Sequence, residues 1–490
     1  MRLTDLLNIQ DIALSEIEIT GLTADSRDVK PGFLFAAIPG IQQDGAKFIP
    51  DAIAKGAAAL LVSKDVDINA IDVPCIVDAR PRQRFAELAA DYYASQPETV
   101  VAVTGTSGKS SIVGFIRQIW QAMGISGGSL GTLGAVSKDF KVKGLHTTPE
   151  PAALHRVLKD MADHGVDHLA LEASSHGIDQ ARLDGVRLKA ALFTNLSRDH
   201  LDYHNNWEEY FAVKAELFDR LLPGNGLAIV NLDSEFAERL ISIAQRRGQQ
   251  LLTYGRLRES GSNPDFGYEI LERRNDGQSL WIEAAGNKQK LLLPLVGEFQ
   301  AENAVAALAA VVGLGGDTRL ALNALLTLEG AKGRLELVAS TRNGARIYVD
   351  YAHKPEAIAT VLRALRPFCE NRLLIVFGCG GDRDQGKRPL MARAAKDGAD
   401  LVIITDDNPR SEEPAMIRRQ TLVGAPDAME IADRREAICR ATAMLRSGDI
   451  LLIAGKGHES GQEIAGEILP FNDGDEALRA VQLIDGAADE

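Results

Sequence analysis

The sequence contains little cysteine, no excess of basic residues and no apolar N-terminal segment. Its 490 residues include four cysteines, at scattered positions without the spacing of a metal site. These features predict a cytoplasmic protein with reduced thiols and with neither a signal peptide nor a membrane span. With 54 Lys and Arg against 68 Asp and Glu, the formal net charge of −14 argues against a protein that coats duplex nucleic acid or an anionic membrane. An anionic substrate would therefore have to be bound by local clusters of basic residues.

The length of the chain and its recurring pattern of strands followed by helices predict three α/β domains. A chain of 490 residues exceeds what one core organises, and no low-complexity tract or helical repeat interrupts the pattern. We expect domains at 1–97, 98–332 and 333–490. The first is a mixed α/β domain without a glycine-rich nucleotide loop, and its expected task is substrate binding. The second is a parallel-sheet domain of the P-loop ATPase type, and the third is a Rossmann-like, doubly wound sheet.

A glycine-rich stretch, VVAVTGTSGKSS at 100–111, predicts a phosphate-binding loop between a buried strand and a helix. The free N–H groups and the helix dipole favour an anion, Lys109 would reach the terminal phosphates of ATP, and the Ser110 hydroxyl would bind Mg²⁺. A simple glycine turn is the alternative, which is less favoured because the lysine and the hydroxyl follow the second glycine in the required order. The residues predicted to bind ATP here are Gly105, Thr106, Ser107, Gly108, Lys109, Ser110 and Ser111.

Two polar segments after predicted strands of the second domain predict a metal site. Glu172 ends the strand HLALE at 168–172 and is followed by two serines and a histidine. The segment TNLSRDHLDYH contains His200, the second candidate metal ligand, although a lone histidine more often has a surface or capping role. Lys214, in a predicted helix at 207–222, has no role that the sequence alone indicates, since a lone lysine usually lies on a solvated face.

Loops after the predicted strands of the third domain predict a pocket for an amino acid. The predicted strands at 346–349, 373–377, 401–404 and 450–454 are each followed by a charged or glycine-rich turn. Among these turns, GCGGDRD contains Arg383, DNPR contains Arg410 and GKGHE contains Glu459. An arginine binds a carboxylate with two parallel hydrogen bonds, and a glutamate can hold an ammonium. Any one turn could be a simple connection, but their joint occurrence favours a pocket.

These motifs together resemble the Mur ligase family of bacterial cell-wall enzymes over nearly the whole chain. The segments that carry the resemblance are GTSGKSS, HTTPE, EASSHG, TNLSRDHLDYH, DYAHKP, GCGGDRD, DNPR and GKGHE. The resemblance implies that ATP phosphorylates a substrate carboxylate, that an amino group attacks the acyl phosphate, and that ADP and phosphate are released. The motif DNPR resembles the one that marks a particular branch of the family. Enzymes of that branch add meso-diaminopimelate, as opposed to lysine, to UDP-N-acetylmuramoyl-L-alanyl-D-glutamate. The arginine agrees with this, because it would repel the far ammonium of lysine.

The resemblance also implies roles for particular residues. Lys109 and Ser110 would hold ATP phosphates and Mg²⁺, Glu172 and His200 would be further metal-site residues, and Lys214 would carry CO₂ as a carbamate that helps to position Mg²⁺. The residues expected to grip the muramoyl dipeptide are Thr147, Thr148, Ser174, Gln180 and Arg182. Those expected at the uridine are Ser26, Gln42 and Gln43, and those expected to help bind the nucleotide are Asn303 and Arg334. Those expected to contact diaminopimelate are Arg383, Asp407, Asn408, Pro409, Arg410, Gly455 and Glu459.

The sequence departs from the commoner family pattern at two points. Ser110 and Ser111 replace a Thr-Thr pair and keep a hydroxyl, and Gln300 stands after Phe299 where the family often has asparagine, which bears on the adenine contact. The alternatives within the enzyme class are a lysine-adding or other sister ligase and folylpolyglutamate synthetase. The alternative outside it is an ATP-gated binding module. We expect a monomer that binds no nucleic acid and does not span a membrane.

Overall fold

The computed structural model of the chain describes residues 1–40, 43–197, 203–204, 206–259, 263–274 and 277–487. The chain forms two compact α/β units, one built mainly from Met1–Gly255 with Ala306–Ala321, and the other from Gly267–Val305 with Leu322–Glu490. The N-terminal and central sheets both belong to the first unit, so the domain boundaries at 97 and 332 stay predictions. In the described part of the chain, no helix has the length and the apolar character needed to cross a membrane.

The N-terminal part of the first unit is a parallel sheet covered by helices. In spatial order its strands are β1 (Gly21–Thr23), β2 (Phe33–Ala37), β3 (Ala59–Ser63) and β4 (Cys75–Asp78). Its helices are α1 (Leu3–Leu7), α2 (Ile49–Ala54) and α3 (Pro81–Tyr93). Proline is well tolerated at the first position of a helix, where α3 has Pro81. Phe85 and Leu88 of α3 share a core with Leu34 and Leu61 of the sheet.

The central part of the first unit is a second sheet, which is mostly parallel. Its strands are β5 (Thr99–Thr104), β6 (Gly127–Gly131), β7 (Gly134–Val136), β8 (Lys141–Val142), β9 (His168–Glu172), β10 (Leu188–Phe193), β11 (Leu227–Asn231) and β12 (Gln250–Arg256). They lie in the order β12-β11-β10-β5-β9-β6-β7-β8, with β7 and β8 antiparallel to their neighbours. The helices are α4 (Lys109–Ala122), α5 (Pro151–Asp163), α6 (Ser175–Asp179), α7 (Trp207–Glu216) and α8 (Ala237–Arg247).

Strand β5 lies in the interior of this sheet, between β10 and β9. Its side chains are apolar on both faces, which suits a strand that is covered on both sides. Val100, Val101, Ala102 and Val103 are fully buried, as expected for a strand of a parallel sheet with both faces covered. It pairs in parallel with β9 on one side and β10 on the other. The turns that follow β5, β9 and β10 therefore leave the same edge of the sheet, which is where the predicted phosphate-loop residues and Glu172 lie.

The second unit contains an antiparallel segment and a doubly wound sheet. The antiparallel segment comprises β13 (Phe266–Arg274), β14 (Gly277–Ala284) and β15 (Asn287–Leu293), and the helices that follow it in sequence are α9 (Glu298–Gly313) and α10 (Thr318–Ala324). The strands of the doubly wound sheet are β16 (Glu336–Ser340), β17 (Arg346–Asp350), β18 (Leu373–Phe377), β19 (Leu401–Ile404), β20 (Met429–Glu430) and β21 (Ile450–Ala454). Their order is β16-β17-β21-β18-β19-β20, with β16 antiparallel to β17.

Helices cover both faces of this sheet, as the sequence predicts. They are α11 (Pro355–Leu365), α12 (Lys387–Gly398), α13 (Pro414–Leu422), α14 (Arg434–Ala443) and α15 (Asp473–Ala487), and a hairpin of β22 (Gly461–Ile464) and β23 (Glu467–Pro470) follows β21. Leu362 of α11 belongs to one core and Ile438 of α14 to the other. The four strands predicted for this domain are all found, and their pairing is parallel.

Arg434→Met tests the buried ion pair that links two helices of this sheet. The Arg434 guanidinium donates to both carboxylate oxygens of Asp473 at 2.7 Å, and both side chains are 0% exposed. Because the change leaves a buried carboxylate without its partner, we expect the free energy of unfolding to fall by about 3–5 kcal/mol. Lys396→Met, which removes an exposed ion pair with Asp427, should cost less than about 1 kcal/mol. Equally small losses in chemical denaturation of the two variants would contradict this account.

Candidate active site

The turn between β5 and α4 is a phosphate-type loop whose backbone requires glycine. Gly105 has φ +143°, and a Cβ there would overlap the Thr194 hydroxyl. Gly108, with φ +89°, is the residue before α4. The structure brings all seven predicted loop residues, from Gly105 to Ser111, into this turn and the first residues of the helix. The N-terminus of α4 therefore offers its N–H groups and positive dipole end beside the loop.

Side chains after β10 hold the loop in place. The Ser107 N–H donates to Asn195 Oδ1 at 3.0 Å, and the Thr194 hydroxyl donates to the Ser107 carbonyl at 2.7 Å. The Thr106 N–H donates to the Asn195 carbonyl at 2.9 Å. Neither Thr194 nor Asn195 was among the predicted site residues. Their signal in the sequence is their place directly after a strand that neighbours β5.

Two lysine ammonium groups donate to one carbonyl of this loop. Lys109 Nζ lies 2.8 Å from the Gly105 oxygen and 3.0 Å from the Thr106 oxygen, and Lys214 Nζ lies 2.9 Å from the Gly105 oxygen. Lys214 is 1% exposed, so the expectation that it lies on a solvated face is wrong. Its ammonium lies 4.6 Å from the centre of the Tyr210 ring, whose hydroxyl is 3.2 Å from Thr106 Oγ1. The Lys109 ammonium favours an anionic ligand at this loop.

Glu172 presents a buried carboxylate at the end of β9. The residue is 2% exposed, and its carboxylate accepts from the Thr132 N–H at 2.9 Å and from the Thr132 hydroxyl at 3.2 Å. Carboxylate and hydroxyl oxygens are the ligands that Mg²⁺ prefers, so Glu172 and Ser110 have the chemistry of a magnesium site. His200, the other predicted ligand, lies outside the described residues. Among the residues that the structure describes, no group of three or more His, Cys, Asp or Glu could hold a metal.

The residues predicted to grip the dipeptide form one hydrogen-bonded network next to Glu172. Thr148 Oγ1 donates to the Glu172 carbonyl at 2.9 Å and accepts from the Ser174 N–H at 3.0 Å. Arg182 donates to the Thr148 carbonyl at 2.8 Å and to Gln180 Oε1 at 2.7 Å. Thr147 Oγ1 lies 3.0 Å from Thr132 Oγ1. Thr132, which joins this network to Glu172, was not predicted, because a lone threonine carries no signal of its own.

A row of aromatic rings in contact with one another lies between this network and the loop. The centres of the Tyr203 and His204 rings are 4.9 Å apart, and those of His204 and Tyr210 are 5.0 Å apart. Gln180 Nε2 donates to the Tyr203 hydroxyl at 3.3 Å. Burial lowers the pKa of His204, and the neighbouring His176 lowers the pKa further. The rings therefore connect a residue of the predicted dipeptide site with Tyr210, which contacts both Thr106 and Lys214.

The predicted uridine residues lie in two loops at one edge of the N-terminal sheet. Ser26 follows β1 and is buried, and its carbonyl accepts from Lys55 Nζ at 2.8 Å. Gln43 follows β2, is exposed, and accepts a backbone hydrogen bond from the Gly40 N–H at 3.0 Å. Because β1 and β2 are parallel neighbours, their following loops leave the same edge. Gln42 lies outside the described residues.

The second unit contains the residues predicted to help bind the nucleotide. Asn303 is buried in α9, and its Nδ2 donates to Gln300 Oε1 at 3.3 Å, so the glutamine that departs from the family pattern touches it. The Arg334 guanidinium lies 4.7 Å from the centre of the Tyr351 ring. Asp350, directly before Tyr351, accepts from the Leu335 N–H and the Ala352 N–H, both at 2.7 Å. Burial raises the pKa of Asp350.

Residues from two strand ends form the core of the predicted amino-acid pocket. Asn408 Nδ2 donates to Glu459 Oε2 at 3.0 Å. Gly455 has φ +115°, and a Cβ there would lie 2.6 Å from Asp407 Oδ2. Lys456, which the sequence analysis did not include, is 0% exposed and donates to Asn408 Oδ1 at 2.8 Å and to Glu459 Oε2 at 3.2 Å. The structure thus brings four predicted residues together around a lysine.

Arg410 has both its backbone and its side chain fixed. Its φ of +54° is unusual for a residue with a side chain, and Pro409 precedes it. Arg410 Nε donates to Glu463 Oε2 at 3.1 Å, and Nη1 donates to the Gly381 carbonyl at 2.8 Å. The guanidinium therefore joins the loops that contain DNPR and GCGGDRD. Arg383, in the second of these loops, is exposed.

Comparison with known proteins identifies the family. The "Mur ligase family, catalytic domain" matches residues 18–93, the "Mur ligase middle domain" matches residues 103–311, and the "Mur ligase, glutamate ligase domain" matches residues 333–457. The protein belongs to the Mur ligase family.

Individual relatives narrow this further. The UDP-N-acetylmuramoyl-L-alanyl-D-glutamate–2,6-diaminopimelate ligase of Bradyrhizobium diazoefficiens is 49% identical over 478 residues, which cover 96% of this chain and 97% of the relative. The ligase of the same name from Mesorhizobium japonicum is 46% identical over 486 residues, which cover 98% of this chain and 99% of the relative. A solved structure of a ligase of this name has a TM-score of 0.73 and 34% sequence identity, and covers 100% of this chain and 99% of its own.

Lys109→Ala tests the phosphate loop. The change removes an ammonium group at the predicted position of the terminal phosphates, so we expect it to cost about 3 kcal/mol or more of transition-state stabilisation, measured as kcat/KM with all substrates present. Folding should survive, as judged by thermal unfolding. Lys141→Ala, at an exposed lysine of β8, should keep full activity. Near-normal turnover of the Lys109 variant at saturating ATP would show that this loop is not the phosphate site.

Proposed function

We propose that the protein joins meso-2,6-diaminopimelate to UDP-N-acetylmuramoyl-L-alanyl-D-glutamate at the expense of ATP, as a step of peptidoglycan synthesis. The observation that carries the ATP-dependent step is the placement of the Lys109 ammonium in a phosphate-type loop at the N-terminus of α4. The particular substrates are supported by the relatives of that name, since 49% identity over 96% of the chain favours the same reaction over the sister ligases.

The reaction divides into a phosphoryl transfer and an amide-forming step. A carboxylate oxygen of the D-glutamyl residue attacks the γ-phosphorus of ATP, the bond to the bridging oxygen breaks, and ADP leaves. The amino group of diaminopimelate, after losing a proton, attacks the carbonyl carbon of the acyl phosphate. The tetrahedral intermediate then expels inorganic phosphate and leaves the amide. Lys109 and the loop N–H groups stabilise the charge that develops on the transferred phosphoryl group.

The central part of the first unit supplies the residues for the phosphoryl transfer. We propose that Thr148, Ser174, Gln180 and Arg182 orient the dipeptide, because they already form one hydrogen-bonded network beside Glu172. Arg182 supplies the charge that a substrate carboxylate needs, and its ion pair with Glu150, at 2.6 Å, holds it in place.

Glu172 and Ser110 would hold Mg²⁺, with His200 as a further ligand. The donor set fits a hard cation, because it consists of a buried carboxylate and a hydroxyl at the edge of one sheet. When bound, Mg²⁺ neutralises charge on the phosphates. Glu172 itself is oriented by the Thr132 N–H and hydroxyl, so its remaining lone pairs have a fixed direction.

Two further properties of the protein belong to this proposal. All four cysteines, Cys75, Cys369, Cys379 and Cys439, lie in the described part of the chain and are free thiols, which fits a reducing, cytoplasmic location. We also propose that the protein acts as a monomer, and sedimentation of the purified protein would measure this.

A ligation assay across candidate amino acids tests the proposal. Purified protein is given ATP, Mg²⁺ and UDP-N-acetylmuramoyl-L-alanyl-D-glutamate with meso-diaminopimelate, lysine, D-glutamate or alanine, and both phosphate release and product mass are recorded. We expect a product mainly with meso-diaminopimelate. Phosphate release that depends on none of the amino acids would contradict the proposal, and a product with lysine alone would assign the chain to the lysine-adding branch.

We propose that Lys214 carries CO₂ as a carbamate in the active enzyme, as the family resemblance implies, and Lys214→Ala tests this. The variant should lose most activity because the anion that helps to position Mg²⁺ is lost, and short-chain carboxylates added to the assay should restore part of it. The measurement is kcat with and without acetate or formate at constant ionic strength. The same additions to Lys109→Ala should restore nothing, since that change removes a cation. A fully active Lys214→Ala variant would refute the proposed carbamate.

Arg410→Ala tests the amino-acid pocket. Its guanidinium is fixed by Glu463 and Gly381, and a bidentate pair with the far carboxylate of diaminopimelate should contribute about 2–4 kcal/mol. We expect the KM for diaminopimelate to rise while the KM for ATP stays within about twofold, and the preference over lysine, as kcat/KM, to shrink. Arg393→Ala, on α12 of the same sheet, is the control. An unchanged preference would refute this pocket without refuting the ligase reaction.

A further inference from the structure

Lys456 is a fully buried lysine in the proposed amino-acid pocket to which no role has yet been assigned. Its Nζ lies 2.8 Å from Asn408 Oδ1, 3.2 Å from Glu459 Oε2 and 3.9 Å from Asp407 Oδ1. The residue is 0% exposed and follows directly on β21 and Gly455. Burying an ammonium is costly unless nearby acceptors and opposite charges compensate it, and here both are supplied by residues proposed to contact the substrate.

The first consequence is that Lys456 fixes the orientation of the Asn408 amide. A lysine ammonium can only donate, so the amide oxygen must face it, and the Glu463 N–H donates to the same oxygen at 3.0 Å. The amide nitrogen therefore points toward Glu459 Oε2, 3.0 Å away. Among the described residues, Asn408 Nδ2 donates only to Glu459, which leaves its second N–H for a substrate carboxylate.

The second consequence concerns the charge of the pocket. Asp407 and Glu459 are two carboxylates beside one lysine, and Arg410 is paired with Glu463. With Lys456 present, the three contacting groups carry one net negative charge, and without it they carry two. A more negative pocket attracts a ligand end that is only an ammonium, and it repels the carboxylate of a ligand end that carries both groups.

We propose that Lys456 is a specificity-determining positioning residue. Its ammonium offsets the Asp407 and Glu459 carboxylates and holds the Asn408 amide, so that the pocket selects an amino-acid end with both an ammonium and a carboxylate over an end with an ammonium alone. This inference rests on the proposed function, because it concerns how the same pocket distinguishes diaminopimelate from lysine.

Lys456→Met, which keeps the length of the side chain and removes its charge, is the test. We expect the KM for meso-diaminopimelate to rise about tenfold or more, kcat/KM for lysine to stay the same or rise, and the KM for ATP to stay within about twofold. The preference for diaminopimelate over lysine should therefore fall about tenfold or more. A residue that only stabilised the fold would lower the use of both amino acids together. Lys396→Met, at an exposed lysine of the same sheet, is the control and should leave the preference unchanged.

A double variant, Lys456→Met with Asp407→Asn, restores the net charge of the three groups. We expect it to keep more of the preference than the single variant. If thermal unfolding shows that the single variant does not fold, the double variant is compared with the wild type, and it should retain a preference for diaminopimelate that is smaller than the wild type's, because the Asn408 amide is no longer held. The inference would be overturned if the single variant lost kcat/KM for diaminopimelate and for lysine in parallel. It would also be overturned if the double variant showed no preference for diaminopimelate over lysine. Failure of the wild type to use diaminopimelate would overturn the proposed function instead.

Discussion

The Gly105 carbonyl is the acceptor on which the proposed phosphate site depends. It receives hydrogen bonds from Lys109, four residues further along the chain, and from Lys214, 109 residues away. A positive φ at Gly105 turns the loop so that the Thr194 and Asn195 side chains can hold it from the next strand. The turn after β5 is thus hydrogen-bonded both to the turn after β10 and to the helix α7.

The second unit uses buried basic side chains in the same way. Arg388 is fully buried and donates to Glu412 and to the Gly380 carbonyl, and Arg434 donates to the Ala454 carbonyl at 2.9 Å. Together with Lys456 they hold the loops that carry the proposed pocket residues. Although the chain has a net charge of −14, its buried basic side chains lie where they donate hydrogen bonds to the carbonyl and carboxylate groups of these loops. Because each cation has a carboxylate partner, the loops are fixed without a large positive surface.

Strands with apolar side chains on both faces were the elements whose positions could best be predicted from the sequence. The strands predicted at 168–172, 373–377, 401–404 and 450–454 have the bounds that the structure gives, because buried parallel strands read as continuous apolar runs. Lys214 and Lys456 could not be placed, since lysine is usually solvated and their partners lie 109 and 48 residues away. The one feature of the sequence that could have indicated a partner for Lys214 is Tyr210, one helical turn earlier, whose ring the Lys214 ammonium contacts. Thr132 and Asn195 were missed because their roles come from sheet neighbours that only the topology defines.

The central claim is that the substrate carboxylate is activated by transfer of a phosphoryl group from ATP. The most direct measurement follows an oxygen atom: the D-glutamyl side-chain carboxylate is labelled with ¹⁸O, the ligation is run to completion with meso-diaminopimelate, and the inorganic phosphate is examined by mass spectrometry. The account predicts one labelled oxygen in each phosphate derived from the labelled carboxylate, because the C–O bond of the acyl phosphate breaks. Unlabelled phosphate, with the lost carboxylate oxygen recovered in water or in AMP instead, would contradict it.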